Sequence, residues 1–234
     1  MNYTKTIVCL ANSRKPPSGR CIAGKEILEG DYGGWIRPVS ARLSGEVSEE
    51  ERRYEDGQDP RVLDIIEVPM IAPAPLSHQV ENHIIDADYY WRKTGELSWT
   101  RLTHLLDSPD ELWLSGESTY YGINDRVRED IAAKLTGSLL LIKPDGLTLS
   151  VQTEGAAFGN PRRRVRARFE YRGQGYSLIV TDPVAERTFL PKTDAEYSVD
   201  DTYLCVSLAG VHTDGYCYKL VAAVISKRPL RGEI

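Results

Sequence analysis

Short strand-like runs separated by turn residues constrain the fold of this chain more than any other feature. In the first half, apolar β-branched runs predict strands over Lys5–Ala11, Cys21–Ile27, Gly34–Val39 and Val62–Ile71. After Gly137, apolar and polar residues alternate with a period of two, as in half-buried strands. Short strands linked by Gly and Pro turns favour small antiparallel barrels over a parallel βαβ sheet.

Six strands are predicted in the second half of the chain. They are Leu139–Ile142, Leu147–Thr153, Arg162–Tyr171, Tyr176–Thr181, Tyr203–Leu208 and Tyr216–Ser226. The turn Pro144-Asp145-Gly146 predicts a hairpin of the first two, and Gly173–Gly175 predicts a hairpin of the next two.

The middle of the chain has a helical pattern that separates two β-rich halves. Val127, Ile131 and Leu135 recur at a spacing of four, which predicts a helix over 124–136 that ends at Gly137. Ser108 is a candidate cap for a shorter helix. We therefore predict a mainly β protein with helical insertions, divided into residues 1–136 and 137–234.

Composition limits the classes of function more than it identifies one. The 234 residues carry a net charge of −5, so overall basicity does not argue for a nucleic-acid partner. The charge is uneven, about −7 up to Thr136 and +2 after it. No apolar run approaches the roughly 20 residues of a membrane helix. The first ten residues lack a secretory signal, so a cytoplasmic protein without a membrane partner is expected.

An arginine-rich segment, RRRVRARFEYR over 162–172, carries the most specific physical signal. In a strand, alternate side chains face opposite sides, so Val165 and Phe169 are predicted to be buried. The opposite face would expose a row of guanidinium groups that fits a single-stranded nucleic-acid backbone, or pairs with carboxylates of neighbouring strands. Both alternatives stay open at this point. The candidate nucleic-acid contacts in this row are Arg162, Arg164, Arg166 and Arg168.

A second basic group surrounds the first predicted loop. Gly33-Gly34-Trp35-Ile36-Arg37 places an aromatic ring close to a guanidinium, a combination suited to base stacking and phosphate contact. The alternative is that Trp35 belongs to the core. The candidate nucleic-acid contacts here are Arg14, Lys15, Arg20, Lys25, Trp35 and Arg37.

Other chemistry-bearing patterns are weak. The sequence contains no P-loop, no GxGxxG, no HExxH and no CxxC, so neither a cofactor nor a metal site is predicted. Asp182 follows a predicted strand and is expected to cap a turn, although it is also a candidate ligand-binding residue. Tyr120 and Tyr121 are expected to be half-buried packing residues. The pattern identifies no catalytic residues.

KTIVCLANSRKPPSGRCIAGKEI followed by GGWIRPVS, together with VRARFEYRGQGYSLIVTDP, resembles the prokaryotic Dual OB-containing domain family. The resemblance covers nearly the whole chain. It implies two fused OB-like antiparallel barrels and a role related to nucleic acids or nucleotides, often in bacterial conflict or defence systems. It implies no catalytic residues.

The leading hypothesis is a non-enzymatic module that binds single-stranded DNA or RNA. A second hypothesis is a sensor for a nucleotide-derived ligand, held by Arg37, Trp35 and Asp182 between the two barrels. A third is a metal-dependent nucleic-acid-processing enzyme that uses Asp31, Asp182 or a histidine. The sequence does not indicate an oligomeric state.

Overall fold

The computed structural model describes residues 2–230. The strands are β1 Tyr3–Lys15, β2 Gly19–Leu28, β3 Asp31–Val39, β4 Asp64–Pro73, β5 Asn82–Ile85, β6 Arg92–Glu96, β7 Arg126–Arg128, β8 Leu139–Ile142, β9 Leu147–Glu154, β10 Arg162–Tyr171, β11 Gln174–Val180, β12 Ala195–Ser198, β13 Thr202–Val211 and β14 Tyr216–Ser226. The helices are α1 Glu49–Arg52, α2 Glu129–Ala132 and α3 Pro183–Phe189, with 3₁₀ helices over Trp99–Leu105 and Ala156–Phe158. None of the helices within residues 2–230 is both long enough and apolar enough to cross a bilayer.

The chain divides into two compact units. The first contains the residues up to Leu106 together with Thr136–Ser138, and the second contains Asp107–Leu135 together with the chain from Leu139 onward. The sequence places the boundary between residues 136 and 137. Asp107–Leu135 groups with the second unit because Leu112 packs in that unit's main core and Val127 packs against Leu208 and Cys217.

Five strands of the first unit form a complete hydrogen-bonded circuit. The N-terminal half of β1 pairs with β4 and its C-terminal half pairs with β2. The circuit continues from β2 to β3, then in parallel from β3 to β5, and returns through β4. Gly24 lies where β1 and β2 meet most closely, since a Cβ there would stand 2.0 Å from the carbonyl oxygen of Val8. Ile7, Ile36, Ile66 and Trp91 lie in the core of this unit.

The second unit follows the same strand order with a different sequence, but within residues 2–230 no backbone pairing joins its two ends, β8 and β9. β9, β10 and β11 form an antiparallel meander, β11 pairs in parallel with β14, and β14 pairs with β13. β13 pairs with β8, so β8 and β9 together occupy the position that β1 holds in the first unit. A circuit of five mainly antiparallel strands is the architecture of an OB-fold. The predicted mainly β fold class with two OB-like halves is confirmed.

The hairpin predicted for Leu139–Ile142 and Leu147–Thr153 is wrong. β8 pairs with β13, whereas β9 pairs with β10 and β12. β8 and β9 therefore behave as one bent strand whose two halves pair with different neighbours. The turn at Pro144-Asp145-Gly146 makes the bend and does not reverse the chain. The hairpin predicted for β10 and β11 is confirmed, and β13 pairs with β14 as well.

Helix is much shorter in the middle of the chain than its periodicity predicts. Only Glu129–Ala132 is α-helical within 124–136, and Arg126–Arg128 instead pairs with Tyr216–Tyr218 of β14. Ser108 caps no helix. Val127, Ile131 and Leu135 still pack in one small cluster. The spacing of four therefore identified residues that pack together, but it did not predict the backbone conformation of the segment.

Candidate nucleic-acid surface

The arginine-rich segment forms strand β10 and alternates as expected on its apolar side. Val165 and Phe169 are buried in the core of the second unit, which confirms that part of the prediction. Ala167 and Tyr171 lie in the same core. The intervening arginines therefore project from the other face of the strand.

Arg166 is buried, so the prediction that it is exposed is wrong. Only 3% of the residue is exposed. Its guanidinium donates from Nε and Nη2 to the two carboxylate oxygens of Glu154, at 2.5 and 3.1 Å. Nη1 donates to the carbonyl oxygen of Ser177 at 3.1 Å and lies 3.5 Å from Oδ2 of Asp125. Two buried carboxylates thus compensate the charge that was expected to meet phosphate.

The remaining arginines of this face differ in their partners. Arg168 is exposed but forms an ion pair with Glu196 of β12. Arg164 is half-buried. Arg162 is exposed, and its Nε donates to Oδ1 of Asn160 at 3.3 Å. The row of exposed guanidinium groups is therefore interrupted at Arg166. Arg166 and Arg168 follow the alternative interpretation, in which the arginines pair with carboxylates.

Arg162 retains an uncompensated charge among residues 2–230. Glu154 lies directly opposite Arg162 in the β9–β10 register, but both of its carboxylate oxygens bind Arg166. The side chain of Arg162 instead folds back toward the β9–β10 loop through Asn160. A cation is thus presented where β10 leaves that loop.

An exposed aromatic cluster lies in the same unit and includes a residue of the same loop. The ring of Tyr120 packs edge to face against Tyr121 at a centroid distance of 4.8 Å and against Phe158 at 5.7 Å. Tyr120 and Phe158 are 78% and 68% exposed. Large apolar side chains held together in water-exposed positions are typical of binding surfaces. We call Tyr120, Tyr121, Phe158, Arg162 and Arg164 the aromatic–arginine surface.

This cluster was not predicted from the sequence, which favours half-buried packing for Tyr120 and Tyr121. Tyr121 is half-buried as expected, but Tyr120 is not. The usable signal was Phe158, an aromatic residue between Gly155 and Gly159 directly before the arginine run. Both glycines adopt positive φ, of 79° and 69°. Glycines are suited to such positive-φ positions in tight turns, so they mark the turn in which Phe158 lies.

The buried Arg166 holds the two segments that carry the aromatic cluster. Asp125 accepts from the backbone N–H of Thr119 at 2.7 Å and from its hydroxyl at 2.6 Å. On the other side, the N–H of Gly155, which follows Glu154, donates to the hydroxyl of Tyr121 at 3.3 Å. Arg166 is therefore a positioning residue for this surface rather than a phosphate contact.

In the first unit, the predicted basic residues lie on the β1–β2–β3 meander. Lys25 pairs across from Trp35, and its Nζ lies 5.5 Å from the ring centroid. Trp35 is half-buried. Arg14 and Arg20 face each other in the β1–β2 register, with Arg14 exposed and Arg20 half-buried. These residues form a cationic surface with one partly accessible ring.

Lys15 is half-buried near the end of the same hairpin. Burial lowers its pKa, and the neighbouring charge of Arg37 lowers it further, while Cys21 and Glu46 oppose that shift. Its charge is thus less available to an incoming phosphate than that of an exposed lysine.

Arg37 is buried, so it is not available as the phosphate contact that the sequence predicts. It is 1% exposed. Nη2 lies 3.1 Å from Oε1 of Glu81 and donates to the hydroxyl of Ser138 at 2.8 Å, while Nη1 donates to Oδ1 of Asn82 at 3.3 Å. Arg37 is close to the half-buried Trp35 in sequence, but its guanidinium is buried because Glu81 and Asn82 of the neighbouring segment bind it.

Asp182, which was expected to cap a turn, caps helix α3. Oδ1 accepts from the N–H groups of Val184 and Ala185, and Oδ2 accepts from the N–H of Val224 at 2.9 Å. Burial raises the pKa of this carboxyl, and the three hydrogen bonds oppose the shift. The carboxylate is thus engaged by backbone, which removes support for its contact with a ribose in the nucleotide-sensor hypothesis.

The structure does not assemble a metal site from the residues that the enzyme hypothesis uses. Within residues 2–230, no three His, Cys, Asp or Glu side chains converge to hold a metal ion. Cys9, Cys205 and Cys217 are buried free thiols, and Cys21 is half-buried. Burial raises the pKa of the Cys217 thiol to about 11, so it is not a reactive thiolate.

Comparison with known proteins supports the fold. No curated protein matches the chain, and no solved structure matches it. The family model for the Dual OB-containing domain matches residues 5–224, nearly the entire length, and spans both units. With two OB-like circuits in its structure and this match, the chain belongs to the Dual OB-containing domain family.

Proposed function

We propose that this protein binds single-stranded nucleic acid through the aromatic–arginine surface of its second unit. OB-folds bind oligonucleotides on the face of their second and third strands and on adjoining loops. β10 is the second strand of its circuit, and Phe158 lies in the loop that joins it to the first. The observation that carries the proposal is the exposed edge-to-face packing of Tyr120 with Phe158.

The chemistry of this surface fits a single strand better than a duplex. Exposed aromatic faces stack on unpaired bases, and each stacked base contributes about 1–3 kcal/mol to binding. Arg162 supplies a cation for the phosphate backbone from the same loop. Because the chain carries a net charge of −5, we expect weak binding at physiological salt without strong sequence preference.

The basic surface of the first unit is a second contact region under this proposal. Lys25 and Trp35 offer a cation and a partly accessible ring, and Arg14 and Arg20 add charge at the hairpin end. Trp35 is half-buried, whereas Tyr120 and Phe158 of the second unit are exposed. We therefore assign this region phosphate contacts and assign base stacking to Phe158 and Tyr120.

Fluorescence polarisation with labelled single-stranded DNA and RNA tests the proposal. Phe158→Ala should weaken binding by about 1–3 kcal/mol with an almost unchanged salt slope. Arg162→Ala should instead reduce the slope of log affinity against log salt by about 0.7. The matched controls are Tyr89→Ala, an exposed aromatic of the first unit, and Arg168→Ala, an arginine paired with Glu196.

Three results would contradict the proposal. One is a folded wild type that binds no oligonucleotide at low salt. Another is equal weakening by Phe158→Ala and Tyr89→Ala. The third is binding of a small nucleotide in preference to every oligonucleotide, which would favour the sensor hypothesis.

A further inference from the structure

A cleft in the first unit lies apart from the residues assigned to nucleic acid. It opens between the β2–β3 turn and the 3₁₀ helix Trp99–Leu105 and has a volume of about 680 Å³. Ile27, Ile65 and Leu97 contribute apolar side chains to its wall, and Tyr32 contributes a ring. Clefts of about 300–1,000 Å³ with apolar walls and a few polar groups are the usual size and character of small-molecule sites.

Two basic side chains with no partner side chain among residues 2–230 line this cleft from one element. Arg101 and His104 both line it. Their spacing of three matches the three residues per turn of a 3₁₀ helix, so both side chains project from the same side. Both are exposed, and neither side chain forms a hydrogen bond or ion pair with any other residue in the described range 2–230. The pair offers an anion a guanidinium fork and an imidazole at one position.

Two carboxylates and a hydroxyl line the same cleft as Arg101 and His104. Asp31 and Glu96 also line the cleft, and so does Ser98. Oδ1 of Asp31 accepts from the N–H of Tyr32 at 2.7 Å, and Oε2 of Glu96 lies 3.7 Å from Nζ of Lys93. Two carboxylates repel an extended polyanion but accept hydrogen bonds from hydroxyl groups of a compact ligand.

We propose that this cleft binds a small phosphate monoester whose organic part carries hydroxyl groups. Arg101 and His104 hold the phosphate, since a guanidinium binds phosphate oxygens in bidentate fashion. The carboxylate of Asp31 accepts from a hydroxyl of the ligand. The ring of Tyr32 and the side chains of Ile27 and Ile65 pack against its apolar part.

Isothermal titration calorimetry on the full chain tests this site with four probes. They are ribose 5-phosphate, adenosine 5′-monophosphate, adenosine and inorganic phosphate. We expect at least one of the two esters to bind more than tenfold tighter than adenosine and than inorganic phosphate. Arg101→Ala should weaken that ester at least tenfold, and His104→Ala should weaken it severalfold. Arg92→Ala, an exposed arginine of the same unit outside the cleft, should leave it unchanged.

Four outcomes would overturn the proposal. They are no heat with either ester, adenosine binding as tightly as its ester, inorganic phosphate binding as tightly as both esters, or equal weakening by Arg101→Ala and Arg92→Ala. Thermal unfolding of each variant, followed by circular dichroism, shows that the comparison is between folded proteins. Phe158→Ala serves as the separating control, because it should reduce oligonucleotide binding and leave the ester affinity intact.

Discussion

The two OB-like units use a buried arginine in the same way but present different surfaces. In the first unit, Arg37 binds Glu81 and fixes Ser138, and in the second, Arg166 binds Glu154 and fixes Asp125. Each arginine therefore ties a strand to a segment outside its own hairpin. The second unit adds an exposed aromatic cluster to that framework. In our proposal, the same framework thus supports a mainly cationic surface in one unit and a base-stacking surface in the other.

The largest expected effect is the loss of unfolding free energy when a buried arginine is replaced by alanine. Arg166→Ala leaves Glu154 and Asp125 buried without their cation, and breaking such a pair costs about 3–5 kcal/mol of unfolding free energy. Arg37→Ala should cost a comparable amount in the first unit. Urea unfolding of both variants gives these values, with Arg168→Ala as the control at less than about 1 kcal/mol.

Arg166→Ala and Arg37→Ala should lower the free energy of unfolding by similar amounts but should differ in their effect on oligonucleotide affinity. Under conditions where both variants stay folded, Arg166→Ala should weaken oligonucleotide binding, because Asp125 and Glu154 hold the segments that carry Tyr120 and Phe158. Arg37→Ala should affect it less. Equal effects on binding would show that the aromatic–arginine surface does not depend on this anchor.

A glycine substitution gives an intermediate effect in the second unit. A Cβ on Gly122 would stand 1.7 Å from Oδ2 of Asp125. Gly122→Ala should therefore displace the carboxylate from Thr119 and destabilise the protein by about 1–3 kcal/mol. Gly34→Ala is the control in the first unit, since a Cβ there meets no atom within 4 Å. Chemical denaturation that ranks Gly34→Ala as the more damaging change would contradict this account of the Asp125 segment.

The smallest expected effect concerns a buried lysine of the second unit. Nζ of Lys219 donates to the carbonyl oxygen of Leu114 at 2.5 Å, and burial lowers its pKa to about 8. Between pH 8 and the ordinary lysine pKa of about 10.4, the unfolded chain binds the proton more tightly than the folded one. Stability relative to Lys219→Met should therefore rise with pH across this window. Thermal unfolding of both proteins at pH 7, 8.5 and 9.5 checks the sign, and a falling difference would contradict it.

Sequence predicted the strands better than their partners. The alternation in 162–171 fixes which side of β10 is buried, because a slip of one residue would bury five charged groups in place of Val165 and Phe169. It does not reveal that Glu154 and Asp125 bury Arg166, since those carboxylates come from other segments. The same limit explains β8 and β9, whose apolar runs are compatible with either a hairpin or a bent strand.

The candidate surface was predictable only in part, for a similar reason. Arg162 and the basic residues of the β1–β2 hairpin are exposed or half-buried, as expected for charged side chains in polar segments of the sequence. Tyr120 and Phe158 are 38 residues apart in sequence, and their contact depends on how 119–125 packs over the second unit. The local sequence pattern contains no information on that packing, and Gly155 and Gly159 mark only a turn around Phe158.

Photo-crosslinking with a single-stranded oligonucleotide that carries 5-iodouracil, followed by peptide mass spectrometry, tests the central claim most directly. The probe reacts with an aromatic ring that stacks on the substituted base. Our account predicts adducts on Phe158 or Tyr120 in the bound wild type, and loss of the Phe158 adduct without loss of folding in Phe158→Ala. Adducts confined to Trp35 or to other rings of the first unit, under conditions where the oligonucleotide is bound, would contradict it.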